Sequence, residues 1–289
     1  MTHHRFYIAA ALAALITLGS CGERASSEEA LAKIEEAYKA KDYQTLIKLV
    51  DDYEAVGDLL PSTANYWRGY VSDRQKKKPQ AAVYWQKAIE SASLSDDAED
   101  VDILVRSASY LANQYCVSGQ YKDVLTMAQP VVARLEELKC DTTSDYINLL
   151  IYIGLCQVST GLSEDEAHQG FLRACEKHRQ NIDRTHSDDA YKDAIAGLVN
   201  IAHYCVTAKK YEPALYYTRN FGELLIEYEQ HPGADSAYVD RQVGRYTIYK
   251  ACALKQLGRQ AEAEETYQAF LNTKFSQSAE GKKLSENYQ

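Results

Sequence analysis

The sequence predicts an all-α protein built as an array of about six repeated helix pairs. Apolar residues recur with the 3.6-residue period of amphipathic helices, and no segment shows the apolar–polar alternation of a strand. A register of small and bulky residues also recurs along most of the chain. The 289 residues are 46% hydrophobic and 25% charged, as in ordinary globular proteins. The net charge of −9 disfavours nucleic-acid binding, which needs a basic face.

Residues 1–20 have the features of an export signal and are excluded from the fold. A short polar start is followed by an apolar stretch that is shorter than the roughly 20 residues needed to span a bilayer. The stretch ends in the sequence Leu18-Gly19-Ser20-Cys21, which resembles the lipobox of bacterial lipoproteins. We therefore expect lipid attachment at Cys21. An ordinary secretory signal with a nearby cysteine is the alternative.

The lipobox resemblance implies a diacylglycerol on Cys21, with residues 21–27 as a lipidated tether. Acyl chains on one cysteine hold a protein at a membrane without a spanning helix. Gly22 stands where many enterobacterial lipoproteins retained at the inner membrane have an aspartate. By that resemblance we expect the protein in the cell envelope, anchored to the outer membrane on its periplasmic or surface side.

The repeat array is expected over residues 28–276. Its first helix is preceded by Ser26 and Ser27, and Ser26 is predicted to be the N-cap of a capping box with Glu29. Residues 277–289 are expected to start a further, unpaired helix. Because an array normally ends in a capping helix, this ending suggests a shortened relative of a longer protein.

Each repeat has a small residue in its first helix, a turn seven residues later, a second small residue at twelve and a bulky one at sixteen. The first-helix small residues are Gly69, Ala112, Gly154, Ala202 and Ala251, and the turns are Lys76, Gly119, Gly161, Lys209 and Gly258. A degenerate first copy starts at Ile34, and the fourth copy has one inserted residue. We expect the small residues where the helices of a pair meet, and the bulky ones towards the next pair.

This register resembles the tetratricopeptide repeat, as in the apolar-small pair Ile153-Gly154 and the element Ala167-x3-Phe171. The resemblance implies an α-α superhelix. The small residues lie 43, 42, 48 and 49 residues apart, whereas that family repeats every 34 or so. Helices longer than the family's, or looser connections, are therefore expected.

No signature of the common hydrolases, nucleotide binders or zinc peptidases is present, so neither catalysis nor a cofactor or metal is expected. His168 and His178 lie ten residues apart on one predicted helix, too far to bind one ion together. We expect both on a solvated polar face. The run from Lys76 to Lys78 is expected to be a solvated turn rather than a phosphate or lipid contact.

Six cysteines follow Cys21, and four of them lie in predicted first helices, namely Cys116, Cys156, Cys205 and Cys252. There a free cysteine acts as a compact apolar filler. Mostly reduced thiols are favoured, although disulfides remain open outside the cytoplasm. Cys140, in a predicted turn, is the best candidate for an exposed thiol.

In the tetratricopeptide family the first helices line a concave groove that binds a peptide or a partner helix. Transferring the family's inward positions gives seven candidate groove residues: Tyr66, Tyr70, Arg74, Asn113, Leu155, His203 and Lys255. Only Asn113 resembles the Lys/Asn/Arg clamp by which some members hold a carboxylate terminus, so tail binding of that kind is not expected. Ordinary groove lining is the alternative interpretation of all seven.

Taken together, these features predict a non-catalytic, lipid-anchored scaffold of the cell envelope. Its partners would be a protein or peptide in the groove and a membrane through Cys21, but no nucleic acid. A first alternative is a ligand-sensing repeat region, similar to the extracytoplasmic regions of Bacteroidetes-type sensors or truncated from such a two-component-type sensor. A second alternative is an assembly factor for outer-membrane proteins, whose architecture is shared but for which no specific motif is present.

Overall fold

The computed structural model describes residues 26–161 and 164–288. These residues form thirteen α-helices, with no strand among them, and the all-α prediction is confirmed. In chain order, α1 to α13 span Glu28–Lys39, Tyr43–Val56, Pro61–Arg74, Lys78–Ala92, Ala98–Val117, Tyr121–Glu137, Ser144–Thr160, Glu164–Thr185, Asp188–Thr207, Tyr211–Glu229, Ser236–Gln256, Gln260–Leu271 and Ala279–Ser285. A 3-10 turn, Lys274–Gln277, precedes α13.

Cys21 and the predicted export signal, residues 1–20, lie outside the described residues. Within the described part of the chain, none of the helices combines the length and the apolar character that a bilayer crossing requires. The chain divides into two compact units, Met1–Leu60 and Pro61–Gln289, and each is described by itself.

In the first unit, α1 and α2 form a hairpin whose two ends are tied together. Leu60 N–H donates to Ser26 Oγ at 3.0 Å, and Ser27 N–H donates to the Asp58 carbonyl at 2.8 Å. The N-cap of α1 is Ser27, because its hydroxyl accepts a hydrogen bond from Ala30 N–H. The prediction of Ser26 as N-cap is wrong by one residue, since its hydroxyl serves Leu60 instead.

In the second unit, the odd-numbered helices α3 to α11 are the first, or A, helices of five pairs, and α4 to α12 are the B helices. Each A helix packs on its own B helix, and each B helix packs on the A helix of the next pair. Successive A helices also pack directly on one another. The A helices form one continuous layer, which we call the A layer. The arrangement is the helical-repeat solenoid that the sequence register predicts.

Hydrogen bonds between hydroxyl and carboxylate groups tie neighbouring A helices together near their starts. Ser62 on α3 donates to Asp100 on α5, and Thr63 Oγ1 donates to Glu99 at 2.6 Å. Two pairs along, Ser144 on α7 donates to an acidic residue of α9, Asp193. Such bonds between side chains of fixed position help to set the register of one A helix on the next.

The turn inside each helix pair contains one residue in the left-handed conformation. These six residues are Lys41, Lys76, Gly119, Gly161, Lys209 and Gly258. In the turn between α3 and α4, Lys76 N–H donates to the Asp73 carbonyl and Lys77 N–H donates to the Ser72 carbonyl. This is the hydrogen-bond pattern of a Schellman C-cap. The turns predicted for the second to sixth repeats are confirmed. Lys76 to Lys78 are exposed, as expected of a solvated turn.

The small residues lie where A and B helices of a pair meet, as the register predicts. A Cβ added at Gly69 of α3 would lie 2.5 Å from Cδ1 of Trp85 on α4. Trp85 is fully buried, and its ring stacks on Tyr110 of α5 with centroids 5.2 Å apart. It thus bridges to the next pair. Between α7 and α8, a Cβ added at Gly170 would lie 3.8 Å from the Cα of Gly154.

The predicted unpaired helix at residues 277–289 is in fact packed on the last helix pair. Phe275 of the 3-10 turn fits against α11, where a Cβ at Gly244 would lie 2.5 Å from that of Phe275. After α13, the Tyr288 ring stacks on Tyr267 of α12 with centroids 3.9 Å apart. The segment therefore covers apolar surface of α11 and α12, and it is not unpaired.

Candidate functional site

Three of the predicted groove residues share α3, where two of them are buried. Tyr66 and Tyr70 are 3% and 6% exposed, and burial raises the pKa of Tyr66 well above its ordinary value. Their rings pack around Trp67, with centroid separations of 5.2 and 5.9 Å. Arg74 is exposed, and its guanidinium lies 4.7 Å from the Tyr70 ring centroid. Tyr70 thus packs against the Arg74 guanidinium.

Three further candidates lie on separate A helices and differ in exposure. Asn113 on α5 and His203 on α9 are exposed, whereas Leu155 on α7 is 2% exposed and belongs to the core. The ring of His203 lies 5.6 Å from that of Tyr249. Neighbouring protein displaces part of the hydration of His203 and lowers its pKa, an effect that Glu280 opposes.

Lys255 on α11 is engaged by the C-terminal segment. Its Nζ donates a hydrogen bond to the Tyr288 carbonyl and lies 4.6 Å from the centroid of the Tyr288 ring. A ligand could contact this amine only in competition with residues 33 positions further along the chain. The sequence register could not reveal this, because the contact depends on how the segment after α12 folds back.

The charged residues of a cluster on the A layer were not among the sequence candidates. Arg106 Nε donates to Asp102 at 3.0 Å, one turn away on α5. Burial raises the pKa of Asp102, and Arg106 opposes that rise. Burial also disfavours the charge of Arg106, but Asp102, Tyr66 and Asp145 keep its pKa above the ordinary value. We call Arg106, Asp102, Tyr66 and Asp145 the Arg106 cluster.

The Arg106 cluster joins three A helices, since Tyr66 lies on α3 and Asp145 on α7. Its signal in the sequence was an Asp and an Arg four residues apart, which face one another on a helix. These positions fall outside the family's usual inward set, and for that reason the register passed over them. The arrangement offers both a cation and acidic groups beside aromatic rings.

The two histidines expected on a solvated face are not there. His178 on α8 is 6% exposed, and a Cβ at Gly197 of α9 would lie 2.6 Å from its Nε2. That nitrogen has no hydrogen-bond partner among the described residues, and burial lowers the pKa of His178 to about 4. His168 is half-buried, with Nδ1 hydrogen-bonded to the Tyr217 hydroxyl at 2.9 Å. The prediction failed because the neighbouring pair covers this side of α8.

Two cavities open between consecutive pairs, and neither is lined by the seven candidates. One, of about 410 Å³, lies among α6, α7 and α8. Its apolar walls include Leu150 and Ile153. Gln157, 9% exposed, has a side-chain amide oxygen, Oε1, without a hydrogen-bond partner among the described residues. The other cavity, of about 420 Å³, lies among α10, α11 and α12 and has several charged side chains, including Lys250 and Arg259.

Within the described ranges, no group of three or more His, Cys, Asp or Glu side chains is placed to hold a metal ion. Asn113, Leu155, His203 and Lys255 lie on four successive A helices. These four candidate residues are therefore distributed along the A layer.

This architecture belongs to the class of helical-repeat proteins. Solved structures show the same fold at low sequence identity. The apo form of RapI is similar with a TM-score of 0.50 and 14% identity, over 89% of this chain and 98% of RapI. BtubC (BKLC) from P. vanneervenii is similar with a TM-score of 0.51 and 12% identity, over 84% of this chain and 90% of BtubC. No protein-family model matches the chain, and no curated protein matches it.

Proposed function

We propose that the protein is a non-catalytic scaffold that binds a protein or peptide along its A layer. The observation that carries the proposal is a continuous layer of A helices in which Arg106, paired with Asp102, lies on the same helix as exposed Asn113. In stacked helix pairs such a layer forms the concave wall of the superhelix. Tyr and Arg side chains of this kind are enriched at protein interfaces.

The chemistry of the layer favours an extended segment over a small ligand. Asn113 offers an amide that can both donate to and accept from a peptide backbone. Arg74, stacked beside Tyr70, presents a planar cation suited to a carboxylate. His203 lies on the fourth A helix, counting α3 as the first. A partner that touches all three must therefore extend along the array.

The test is affinity capture from an envelope extract with the chain from residue 22 onward, which carries no lipid. The double variant Asn113→Ala/His203→Ala should lose a partner that the wild type retains. The matched control is Gln86→Ala/Gln268→Ala, two exposed amides on the B helices α4 and α12. Equal capture by all three proteins would contradict binding through the A layer. Identification of the captured protein also decides whether assembly of outer-membrane proteins is the role.

We further propose that Cys21 carries the lipid that anchors the protein to the cell envelope, with the outer membrane as its destination. The support is the sequence Leu18-Gly19-Ser20-Cys21, in which small residues precede the cysteine directly. Mass spectrometry of the mature protein should find an acyl adduct on Cys21, and Cys21→Ala should release the protein from the membrane fraction. A mature wild-type chain without acyl groups would contradict the proposal.

The ligand-sensing alternative is favoured by the cavity among α6, α7 and α8. Its volume of about 410 Å³ falls within the range of small-molecule sites. The buried side-chain oxygen Oε1 of Gln157 has no hydrogen-bond partner among the described residues, and an N–H or O–H group of a ligand would satisfy it. If this function is correct, the small-molecule fraction of an envelope extract should raise the melting temperature of the wild type but not that of Gln157→Leu. No shift of the wild type would count against it.

A further inference from the structure

Two cysteines from neighbouring A helices meet in the core of the second unit. Cys116 lies at the end of α5, and Cys156 lies on α7. Their Sγ atoms are 3.3 Å apart although the residues are 40 positions apart in the chain. The side chains are 7% and 0% exposed, respectively. Among the described cysteines no second pair of sulfurs is in contact.

The Sγ–Sγ separation of 3.3 Å is within reach of a disulfide bond. An S–S bond needs a separation of about 2.05 Å, so the sulfurs of Cys116 and Cys156 must approach by little more than 1 Å. Rotation about the Cα–Cβ bonds moves each sulfur without moving the backbone. Because α5 and α7 already pack directly on each other, the two sulfurs can approach without a rearrangement of the helices.

We propose that Cys116 and Cys156 are a redox pair that forms a disulfide between the third and fourth repeats. For these two cysteines, the proposal replaces the expectation from the sequence that they are reduced apolar residues that only fill space in the core. It does not depend on the scaffold function or on where the protein resides, because a soluble disulfide such as oxidised glutathione supplies the oxidising equivalents in the test. The other four body cysteines are outside the proposal.

The reaction is a thiol–disulfide exchange in two steps. The thiolate of Cys116, the more exposed of the two, attacks one sulfur of oxidised glutathione. A mixed disulfide forms, and one glutathione thiolate leaves. The thiolate of Cys156 then attacks Cys116 Sγ and expels the second glutathione. Two electrons pass from the protein to the reagent, and the two thiol protons end, through solvent, on the two glutathione molecules.

Two physical consequences follow. The hydrogen bond to Cys116 and burial raise the pKa of Cys156 above its ordinary value, so ring closure is expected to accelerate as the pH is raised. The cross-link also restricts the unfolded chain by closing a loop of 40 residues, which stabilises the folded state. The oxidised protein should therefore melt at a higher temperature than the reduced one.

The experiment compares the full chain reduced with dithiothreitol and the same chain equilibrated with oxidised glutathione. Free thiols are alkylated under denaturing conditions, and non-reduced peptides are mapped by mass spectrometry. We expect a cross-linked peptide pair containing Cys116 and Cys156, two hydrogen atoms lighter than the sum of its parts. Thermal unfolding should show a higher midpoint for the oxidised form, and dithiothreitol should reverse it.

Variants separate this pair from general thiol effects. Cys116→Ser and Cys156→Ser should each abolish the redox-dependent shift of the midpoint, whereas Cys205→Ser, also buried on an A helix, should keep it. If a serine variant does not fold, the peptide map of the wild type decides alone. Recovery of Cys116 and Cys156 as alkylated thiols after oxidation, or cross-linking of a different pair, would overturn the proposal.

Discussion

At the scale of single residues, the contact between Gly69 and Trp85 shows how little space separates the helices of a pair. A methyl group at Gly69 would lie 2.5 Å from the indole ring, well inside ordinary contact distance. The ring has no free direction in which to move, because it is fully buried and stacks on Tyr110. A gain in helix propensity of about 1 kcal/mol for alanine therefore competes with an overpacking cost of about 1–3 kcal/mol.

We accordingly expect Gly69→Ala to lower the free energy of unfolding by up to about 2 kcal/mol, measured by urea denaturation. In a Trp85→Phe background, where the smaller ring leaves room, the same substitution should cost less. The interaction energy of the double-mutant cycle is the control. If the effects of the two substitutions add, the methyl group introduced by Gly69→Ala does not contact the Trp85 ring.

His178 makes stability depend on pH for a reason that is equally local. Burial lowers its pKa to about 4, whereas histidine in an unfolded chain titrates near 6.5 or so. Between these values the unfolded chain binds a proton that the folded chain does not, so folding becomes less favourable as the pH falls. The loss begins near pH 6.5 and is complete at about pH 4.

We expect this group to contribute about 2 kcal/mol of destabilisation when the pH is lowered from 7 to 5. Urea unfolding of His178→Gln at both pH values should show that much less pH dependence than the wild type. The control is His186→Asn, at an exposed turn, which should retain the wild-type dependence. Identical pH dependence in wild type and His178→Gln would show that residue 178 is solvated after all.

At the scale of elements, the turn inside each pair repeats one backbone conformation with two kinds of residue. Glycine holds it at Gly119, with φ +76° and open space within 4 Å of the position that a methyl group would take, whereas Lys209 holds the same place with φ 60°. A non-glycine residue in this conformation costs about 1–2 kcal/mol. A glycine, in return, adds about 0.4–1 kcal/mol of unfolded-state entropy.

The balance predicts opposite effects at the two turns. Lys209→Gly should raise the free energy of unfolding by up to about 1 kcal/mol, and Gly119→Ala should lower it by about 1 kcal/mol. Both can be read from urea midpoints at constant m-value. Lys87→Gly, inside an exposed part of α4, should instead be destabilising. A loss of stability at Lys209→Gly would mean that the lysine side chain stabilises the turn.

These turns also show what a sequence can reveal. The left-handed turn residue follows the small residue of the A helix by a fixed number of positions. The spacing in the sequence therefore located Lys209 as well as Gly119. The burial of His178 and the meeting of Cys116 with Cys156 depend instead on neighbouring pairs, whose helices lie about 20 to 40 positions away. Periodicity within one helix contains no information about what covers its far side. Candidate site residues were therefore placed less reliably than helices.

At the scale of the second unit, the main helix contacts among the described residues lie within a pair, between neighbouring pairs and between successive A helices. Stability in such an array is close to a sum of repeat terms and nearest-neighbour interfaces. α7 is buried on nearly every side, with Ile147 and Leu149 both fully covered. A cavity there should therefore weaken the pairs that flank α7 more than pairs further along.

Ile147→Ala tests this directly, with an expected overall loss of about 2–5 kcal/mol. Amide hydrogen exchange should accelerate in α5 to α9, whose interfaces α7 shares or adjoins, and much less in α11 and α12. Ser159→Ala, at an exposed position of the same helix, should leave exchange unchanged throughout. A uniform acceleration across all helices would show that the second unit opens as one cooperative block, and the additive description of its repeats would then fail.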